Sequence, residues 1–393
     1  MVASAQSECV NGRYTYPEYF DSVTVSTVVF GSNTPVTGTG TEILEMDVYQ
    51  PVGDVLPNRP VVIVAFGGSF ISGSRADVAP LCIAFAKLGF VAVAPDYRVG
   101  FFFPNIATTT KAVMRCAHDL RGCIRFLHKS AIDDGNPYAI DPARIIVGGV
   151  SAGAIGALHV TYLDENSEIP TVLYPDTSFI GGLSGNSGSQ GYPEDVLACW
   201  SMSGAIGDTL WMHPGDEPLV SVHETGDGVV PCYTELVEVI GIPTGLYASG
   251  SHDIHLRLQH IGVQNCYLEY PGTGHVGYLT SDPDVSFNHV VQFLAKQVCN
   301  ENGDCGTILA SVAEAGGRLA LEVSPNPTSG EIVLRITEAS DVQVIDATGR
   351  VVLSTRMTIG SNVLDLSQMS DGIYTVRAVG AEVRTARAVK SAR

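Results

Sequence analysis

Apolar residues follow two different patterns near the start of the chain. Residues 23–30 and 43–50 alternate apolar with polar side chains between turn-rich segments, which predicts two half-exposed strands. Residues 60–65 and 90–94 are continuously apolar, as is typical of strands buried on both faces of a sheet. Residues 81–88, between them, have helical spacing and end at a glycine. This strand, helix, strand order predicts a right-handed crossover and therefore a parallel sheet.

The alternation of helix and strand continues to about residue 298. Residues 108–130 predict an amphipathic helix, because their apolar side chains recur every three or four positions. A β-branched run at 145–147 predicts a buried strand, and small residues at 152–160 predict a helix that packs closely on the sheet. Further strands are predicted at 196–202, 219–224 and 266–270, and further helices at 252–261 and 286–298. The pattern predicts an α/β fold with a doubly wound, mostly parallel sheet.

The end of the chain has a different pattern. Short alternating strands are predicted at residues 332–336, 342–345, 351–354 and 374–378, which is typical of a small all-β sandwich. We therefore predict an α/β domain at 1–305, a linker at 306–320 and a β-sandwich domain at 321–393.

One strand-to-helix junction contains a candidate nucleophile. Gly149-Val150-Ser151-Ala152-Gly153 reads G-x-S-x-G. A serine hydroxyl is a weak nucleophile unless a base lies within reach, so it has to be raised from the sheet on a strained turn. Only very small neighbours leave room for such a turn. The five-letter pattern alone also fits an ordinary turn that contains a serine, so other residues have to decide between the two.

Three further glycine turns follow predicted strands. Backbone N–H groups in Phe66-Gly67-Gly68-Ser69 can turn toward a ligand and hold an oxyanion. The aspartate of Gly226-Asp227 is placed to orient a histidine, and the histidine of Gly274-His275 can reach a site at the edge of the sheet. Each segment also fits a plain turn without chemistry.

Composition excludes two classes of partner. The chain has 41 acidic and 22 basic residues, a formal net charge of −19. Such a chain repels phosphate backbones and anionic lipid head groups, so we expect no nucleic-acid binding and no peripheral membrane docking. No run approaches the roughly 20 apolar residues of a membrane-spanning helix.

The cysteines and the first residues indicate export. Nine cysteines fit an oxidising compartment with several disulfides, and their odd number leaves at least one unpaired within the chain. Cys116 and Cys123 are too far apart on one predicted helix to form a bridge with each other. Ala3-Ser4-Ala5 has the form of a signal-peptidase site.

We expect neither a metal nor a cofactor. No cysteine spacing resembles a zinc site. His252 and His255 lie on one face of a predicted helix, but no third ligand accompanies them, and surface histidines are the simpler interpretation.

Together these motifs resemble the α/β-hydrolase fold, and within it the carboxylesterase, lipase and feruloyl-esterase-like group. The resemblance covers residues from about 45 to 298 and also includes Asp96-Tyr97-Arg98 and Asp119. It implies a catalytic triad and an oxyanion hole. The implied roles are nucleophile for Ser151, general base and then acid for His275, orienting carboxylate for Asp227, and oxyanion donors for the N–H groups of Gly68, Ser69 and Ala152.

The chain departs from this family in two ways. The family commonly has His-Gly-Gly-Gly where this chain has Phe66-Gly67-Gly68-Ser69. The sequence also contains no evident large helical cap, which predicts an open cleft.

The tail resembles the C-terminal sorting domain of type IX secretion in Bacteroidetes. The motifs that indicate it are 323–330 (VSPNPTSG), 344–350 (VIDATGR), 364–366 (LDL) and 371–374 (DGIY). A sugar-binding β-domain is the alternative, although this tail contains no tryptophan to stack on a sugar ring.

We therefore expect a secreted serine carboxylic-ester hydrolase that acts through a Ser-His-Asp triad and an acyl-enzyme. The alternatives are a serine peptidase of the same fold and a catalytically silent binding protein on this scaffold. The expected partners are a small-molecule or polymeric ester and the type IX secretion machinery, with export through the periplasm to the medium or cell surface. The sequence leaves the acyl and alcohol specificity open.

Overall fold

A nine-stranded sheet organises the first part of the chain. The structure is a computed structural model that describes residues 8–9, 12–101, 103–173, 181–309, 321, 323–336, 339–346, 351–380 and 383–391. The chain divides into two compact units, Met1–Ala310 and Ser311–Arg393. The candidate signal-peptidase site at residues 3–5 lies outside the described residues.

The first unit alternates strands and helices. Its strands are β1 (Val23–Asn33), β2 (Glu42–Pro51), β3 (Arg59–Ala65), β4 (Val91–Pro95), β5 (Ile140–Val150), β6 (Ala198–Met202), β7 (Ala205–Ile206), β8 (Leu219–Glu224), β9 (Thr234–Val239), β10 (Ile242–Gly250), β11 (Asn265–Tyr270) and β12 (Gly306–Leu309). Its helices are α1 (Ala79–Lys87), α2 (Ile106–Ile132), α3 (Ala152–Tyr162), α4 (Ser251–Ile261), α5 (Tyr278–Ser281) and α6 (Pro283–Val298).

The large sheet has the order β1-β2-β4-β3-β5-β6-β8-β11-β12. β1 and β2 are antiparallel to their neighbours, and every pairing from β4 to β12 is parallel. All residues of β3, β4 and β6 are buried. Because alternate side chains point to opposite faces, both faces of these strands are covered. The predicted fold class, an α/β unit with a mostly parallel sheet followed by an all-β unit, is confirmed.

Two regions of the first unit differ from the sequence interpretation. β9 and β10 form a hairpin that pairs with β7 in a separate three-stranded sheet, and none of these strands was predicted. Residues 306–309, assigned to the linker, instead form β12 beside β11 and extend the large sheet by one strand. Residues 310–320 lie outside the described residues.

Two disulfides fix the ends of this unit. Cys9–Cys299 joins residues 290 positions apart, and Cys266–Cys305 joins β11 to the residue before β12. Each closes a loop and so restricts the unfolded chain. The remaining five cysteines are buried free thiols: Cys82, Cys116, Cys123, Cys199 and Cys232. Burial raises the pKa of the Cys232 thiol to about 11, which keeps it in the unreactive thiol form.

The second unit consists of two antiparallel sheets that share one hydrophobic core. The first sheet contains β13 (Val323–Ser324), β14 (Glu331–Ile336) and β17 (Gly360–Asp365). The second contains β15 (Ser340–Ile345), β16 (Val351–Met357), β18 (Gly372–Val379) and β19 (Val383–Lys390). Alternate residues of β14 are buried and exposed, as expected for a strand with one face on a core. No helix among the described residues of either unit is long and apolar enough to cross a membrane.

Three buried histidines predict acid sensitivity of the first unit. His118, His159 and His255 are at most 6% exposed, and burial lowers their pKa values to about 3, 4 and 3. In the unfolded chain a histidine has a pKa of about 6.5, so between pH 6.5 and 4 the unfolded state binds more protons than the folded state. Stability therefore falls as pH is lowered through this window. We expect a loss of roughly 1–2 kcal/mol per histidine between pH 7 and pH 5.

Urea unfolding followed by tryptophan fluorescence measures this effect, because both tryptophans, Trp200 and Trp211, lie in the first unit. His255→Gln is expected to show a smaller loss between pH 7 and pH 5 than the parent, whatever its stability at pH 7. His260→Gln, at an exposed position, is the control and is expected to keep the parent's pH dependence. An equal loss in parent and His255→Gln would contradict the prediction.

Candidate active site

Ser151 occupies a strained turn between β5 and α3. Its backbone has φ 55° and ψ −121°, a conformation that costs a non-glycine residue energy and recurs at functional sites. A Cβ atom added at Gly149 or Gly153 would lie 2.4 Å or 2.2 Å from the carbonyl oxygen of Ala65. The two glycines of the G-x-S-x-G segment are therefore required by the close approach of β3 to this turn.

The side chains of Ser151, His275 and Asp227 form one hydrogen-bonded line. His275 Nε2 lies 2.8 Å from Ser151 Oγ, and His275 Nδ1 lies 2.7 Å from Asp227 Oδ2. A carboxylate can only accept, so Nδ1 carries the proton and donates to Asp227. Nε2 is then the acceptor for the Ser151 hydroxyl, which is the arrangement a general base requires.

Hydrogen bonds between two loops fix the positions of Asp227 and His275 relative to each other. Gly226 N–H donates to Gly272 O at 2.7 Å, and Thr225 N–H donates to Tyr270 O at 2.8 Å. The buried carboxylate of Glu224 accepts from Gly277 N–H at 3.3 Å. These bonds tie the loop after β8 to the loop after β11, so Asp227 and His275 cannot move independently.

Asp227 is ionised in a buried position. Its side chain is inaccessible to solvent, and Oδ1 accepts from Val229 N–H at 2.8 Å and Val230 N–H at 3.0 Å. Burial by itself raises the pKa of Asp227. Hydrogen bonds from His223, His275 and these two amides outweigh burial and place the pKa well below its usual range.

His223 is a neighbour of Asp227 that the sequence interpretation missed. It is fully buried, and its Nε2 lies 3.4 Å from Asp227 Oδ2 and 3.1 Å from Val230 O. Both of these oxygens accept, so Nε2 carries a proton, and Nδ1 accepts from Ser251 Oγ at 2.9 Å. The only signal in the sequence was a histidine within the apolar strand β8.

The segment after β3 lies against the strained turn at Ser151, which we call the elbow. Gly68 has φ 126° and Ser69 has φ 54°, and a Cβ added at Gly67 would lie 3.2 Å from Ser151 Cβ. The Tyr97 hydroxyl donates to Phe66 O at 2.8 Å, and the two rings stack with centroids 4.1 Å apart. The Asp96-Tyr97-Arg98 segment thus holds the turn that contains Gly68 and Ser69.

A buried ion pair anchors Tyr97 to α2. Arg98 Nε lies 2.9 Å from Asp119 Oδ2, and the backbone N–H of Arg98 donates to the same carboxylate at 2.8 Å. Ser187 Oγ donates to Asp119 Oδ1 at 2.5 Å. Removing one partner of such a pair leaves an uncompensated buried charge, which costs about 3–5 kcal/mol.

An apolar cavity of about 400 Å³ opens beside Ser151. Its walls come from Ser69 and Phe70 after β3, from α2 and α3, and from the β9–β10 hairpin. The β9–β10 hairpin, which the sequence did not predict, forms one wall of the cavity. Ala152, the third predicted oxyanion donor, lines the cavity together with Ser69.

His252 and His255, interpreted from the sequence as surface histidines, have different surroundings in the structure. His255 is buried with Nδ1 2.8 Å from Asn265 Oδ1, so it is not a surface histidine, whereas His252 Nδ1 lies 2.8 Å from Asp253 Oδ1. Asp164, Glu168 and His213 offer ligand atoms within 4.8 Å of one another. Glu168 Oε2 already accepts from the N–H of Asp164 at 3.1 Å, which gives that carboxylate a structural role.

Comparison with known protein families gives a match within each of the two units of the chain. Residues 46–179 match the BD-FAE family, which is an esterase-type α/β-hydrolase family. Residues 322–389 match the secretion system C-terminal sorting domain. A search of curated proteins gives no match.

Esterase 2 of Thermogutta terrifontis is among the similar solved structures. The form phosphoramylated by tabun is 19% identical in sequence, with a TM-score of 0.50. The matched region includes 69% of this chain and 94% of the esterase chain. The propionate-bound form is also 19% identical, with a TM-score of 0.49, and the match includes 70% of this chain and 94% of the esterase chain. At this identity the similarity concerns the fold. The chain thus contains a region that matches an esterase-type α/β-hydrolase family and, after it, a region that matches a type IX secretion sorting domain.

Proposed function

We propose that this protein is a secreted serine carboxylic-ester hydrolase that acts through Ser151, His275 and Asp227 and forms an acyl-enzyme. The observation that carries the proposal is the hydrogen-bonded line from Asp227 through His275 to a serine on a strained elbow. The esterase-type family match covers residues 46–179, which include Ser151, and supports a hydrolase role for that part of the chain.

In the first half of the reaction, Ser151 Oγ attacks the ester carbonyl carbon while His275 Nε2 takes the serine proton. Asp227 stabilises the imidazolium that forms, because its carboxylate already carries a negative charge 2.7 Å from Nδ1. The tetrahedral oxyanion is held by the N–H groups of Ala152, Gly68 and Ser69. When the intermediate collapses, His275 gives its proton to the departing alcohol and an acyl ester on Ser151 remains.

In the second half, water replaces the alcohol. His275 Nε2 takes a proton from water, the hydroxide formed attacks the acyl carbon, and the same N–H groups hold the second oxyanion. Collapse breaks the bond to Ser151 Oγ, which regains its proton from His275, and the carboxylic acid leaves.

The apolar character of the cavity favours a small-molecule or polymeric ester with an apolar group as the substrate. The cavity walls are mainly aliphatic, and exposed apolar side chains such as Ile240 and Tyr247 stand on the hairpin that forms one wall. The negative net charge of the chain disfavours anionic substrates.

The sorting domain supports export by the type IX machinery after passage through the periplasm. The proposed division is a catalytic domain through residue 309, a linker to residue 320 and the sorting domain from 321. We therefore place the esterase in the medium or on the cell surface.

Ser151→Ala is expected to lower the turnover of short acyl nitrophenyl esters by roughly 10⁴-fold or more, because no other nucleophile is proposed. Covalent labelling with a fluorophosphonate is expected in the parent protein and absent in the variant, while circular dichroism stays unchanged. Labelling that persists in Ser151→Ala would refute the assignment. Faster cleavage of aminoacyl anilides than of esters by the parent would favour a peptidase.

Gly226→Ala and Gly228→Ala test the pairing of the two loops. A Cβ at Gly226 would lie 2.8 Å from Gly272 O, whereas no atom lies within 4 Å of a Cβ at Gly228. In Gly226→Ala this contact is expected to move Asp227 away from His275 and so to reduce kcat/KM by about 10- to 100-fold. Gly228→Ala, two positions away, is the control with near-parental kcat/KM. Equal values for the two variants would argue against the loop contact as the element that sets the triad.

Deletion of residues 321–393 tests the role of the sorting domain. In a host with type IX secretion, the truncated protein is expected to accumulate in the periplasm, because the deleted region matches the sorting domain. It is expected to fold, because the two units are separately compact. Its kcat/KM for nitrophenyl esters after purification is expected to equal that of the full chain. Loss of activity in the purified truncated protein would indicate that the tail contributes to substrate binding.

A further inference from the structure

The cavity follows one face of α3. The lining residues on this face are Ser151, Ala152, Ile155 and His159. Ile155 is four residues after Ser151, and His159 is eight residues after it. With 1.5 Å of rise per residue, His159 lies about 12 Å along the helix from Ser151. A substrate group that enters the cavity from Ser151 therefore reaches His159 at a defined chain length.

His159 lines this cavity, and one of its two ring nitrogens is unprotonated. Its Nδ1 lies 2.8 Å from Ile155 O, and a carbonyl oxygen only accepts, so Nδ1 carries the proton. Nε2 therefore has a free lone pair. Burial lowers the pKa of His159 to about 4, so the ring is neutral at pH 7.

The position of Nε2 agrees with an acceptor role. A Cβ added at Gly207, which also lines the cavity, would lie 3.6 Å from Nε2. The ring contacts Trp211 edge to face, with centroids 5.7 Å apart. Within the part of the chain that the structure describes, Nε2 has no hydrogen-bond partner, although the histidine is only 6% exposed. Nε2 faces the cavity, so a donor group of a ligand can take the place of solvent as its hydrogen-bond partner.

The cavity holds the acyl side of the ester. Ser69, Ser151 and Ala152 line it, whereas His275, which protonates the departing alcohol, is not among its described lining residues. The alcohol has to lie at His275 Nε2. The group along α3 is therefore the acyl chain.

We propose that His159 determines acyl specificity by accepting a hydrogen bond from a hydroxyl group at the far end of the acyl chain. The preferred substrates are esters of ω-hydroxy acids, and this inference rests on the proposed ester hydrolase function. We take the rise of about 12 Å between the two Cα atoms as the span to be bridged, of which the bond to Ser151 and the hydrogen bond to His159 take up about 4–5 Å. The remainder corresponds to an extended chain of about six bonds, as in a 6-hydroxyhexanoyl group. A carboxylate at the same place would face the Nε2 lone pair and is rejected.

The test compares phenyl 6-hydroxyhexanoate with phenyl heptanoate, which differ only by a hydroxyl in place of a methyl group. The readout is the ratio of their kcat/KM values, normalised by fluorophosphonate titration of active enzyme. In His159→Leu this ratio is expected to fall about tenfold from the parent value, because the hydroxyl loses its acceptor. His159→Gln, whose amide oxygen can accept, is expected to lie between the two.

His260→Leu makes the same substitution at an exposed position outside the cavity lining and is expected to keep the parent ratio. If His159→Leu does not fold, His159→Phe removes the acceptor with a ring of similar size. A ratio within twofold of the parent in the folded acceptor-less variant would overturn the inference. Failure of the proposed function has a different signature, because then neither ester is hydrolysed or hydrolysis survives Ser151→Ala.

Discussion

The close approach of three backbone segments determines the geometry of the site. The end of β3, the end of β5 and the start of α3 meet at the Ala65 carbonyl oxygen, with no room for a Cβ at Gly149 or Gly153. This contact fixes the elbow in its strained conformation, because the surrounding sheet supplies the packing energy that offsets the strain. It also brings the residues after β3 beside Ser151, so nucleophile and proposed oxyanion donors are positioned by the same contact.

The sequence predicted those parts that depend on local pattern. Continuous apolar runs identified the buried strands, and glycine turns after them located Ser151, Asp227 and His275, which the structure brings within hydrogen-bond distance. The β9–β10 hairpin was missed because its turn consists of Ile240 and Gly241, with φ 53° and 70°. Such turns usually carry Asn-Gly or Asp-Gly, so a β-branched residue there gives no sequence signal.

The buried polar groups around the site were not predictable for a different reason. His223 and Glu224 lie within β8, and packing rather than sequence spacing sets their partners Ser251 and Gly277. His159 bonds to Ile155 four residues earlier on α3, but its exposure to the cavity is likewise set by packing. A histidine in an apolar element shows only that something polar is buried there. Whether it supports a carboxylate, as His223 does, or faces a cavity, as His159 does, depends on contacts that form only in the folded chain.

Separate elements set the charge of the site and the shape of its cavity. Asp227 obtains its donors from the loop after β8 and from His223 and His275, so its negative charge is stabilised before any substrate binds. No reorganisation is then needed when the imidazolium forms. The cavity wall formed by the β9–β10 hairpin supplies none of these donors. Substitutions on that hairpin can therefore change which acyl groups fit while the hydrogen-bonded line to Ser151 is preserved, which separates specificity from the chemical step.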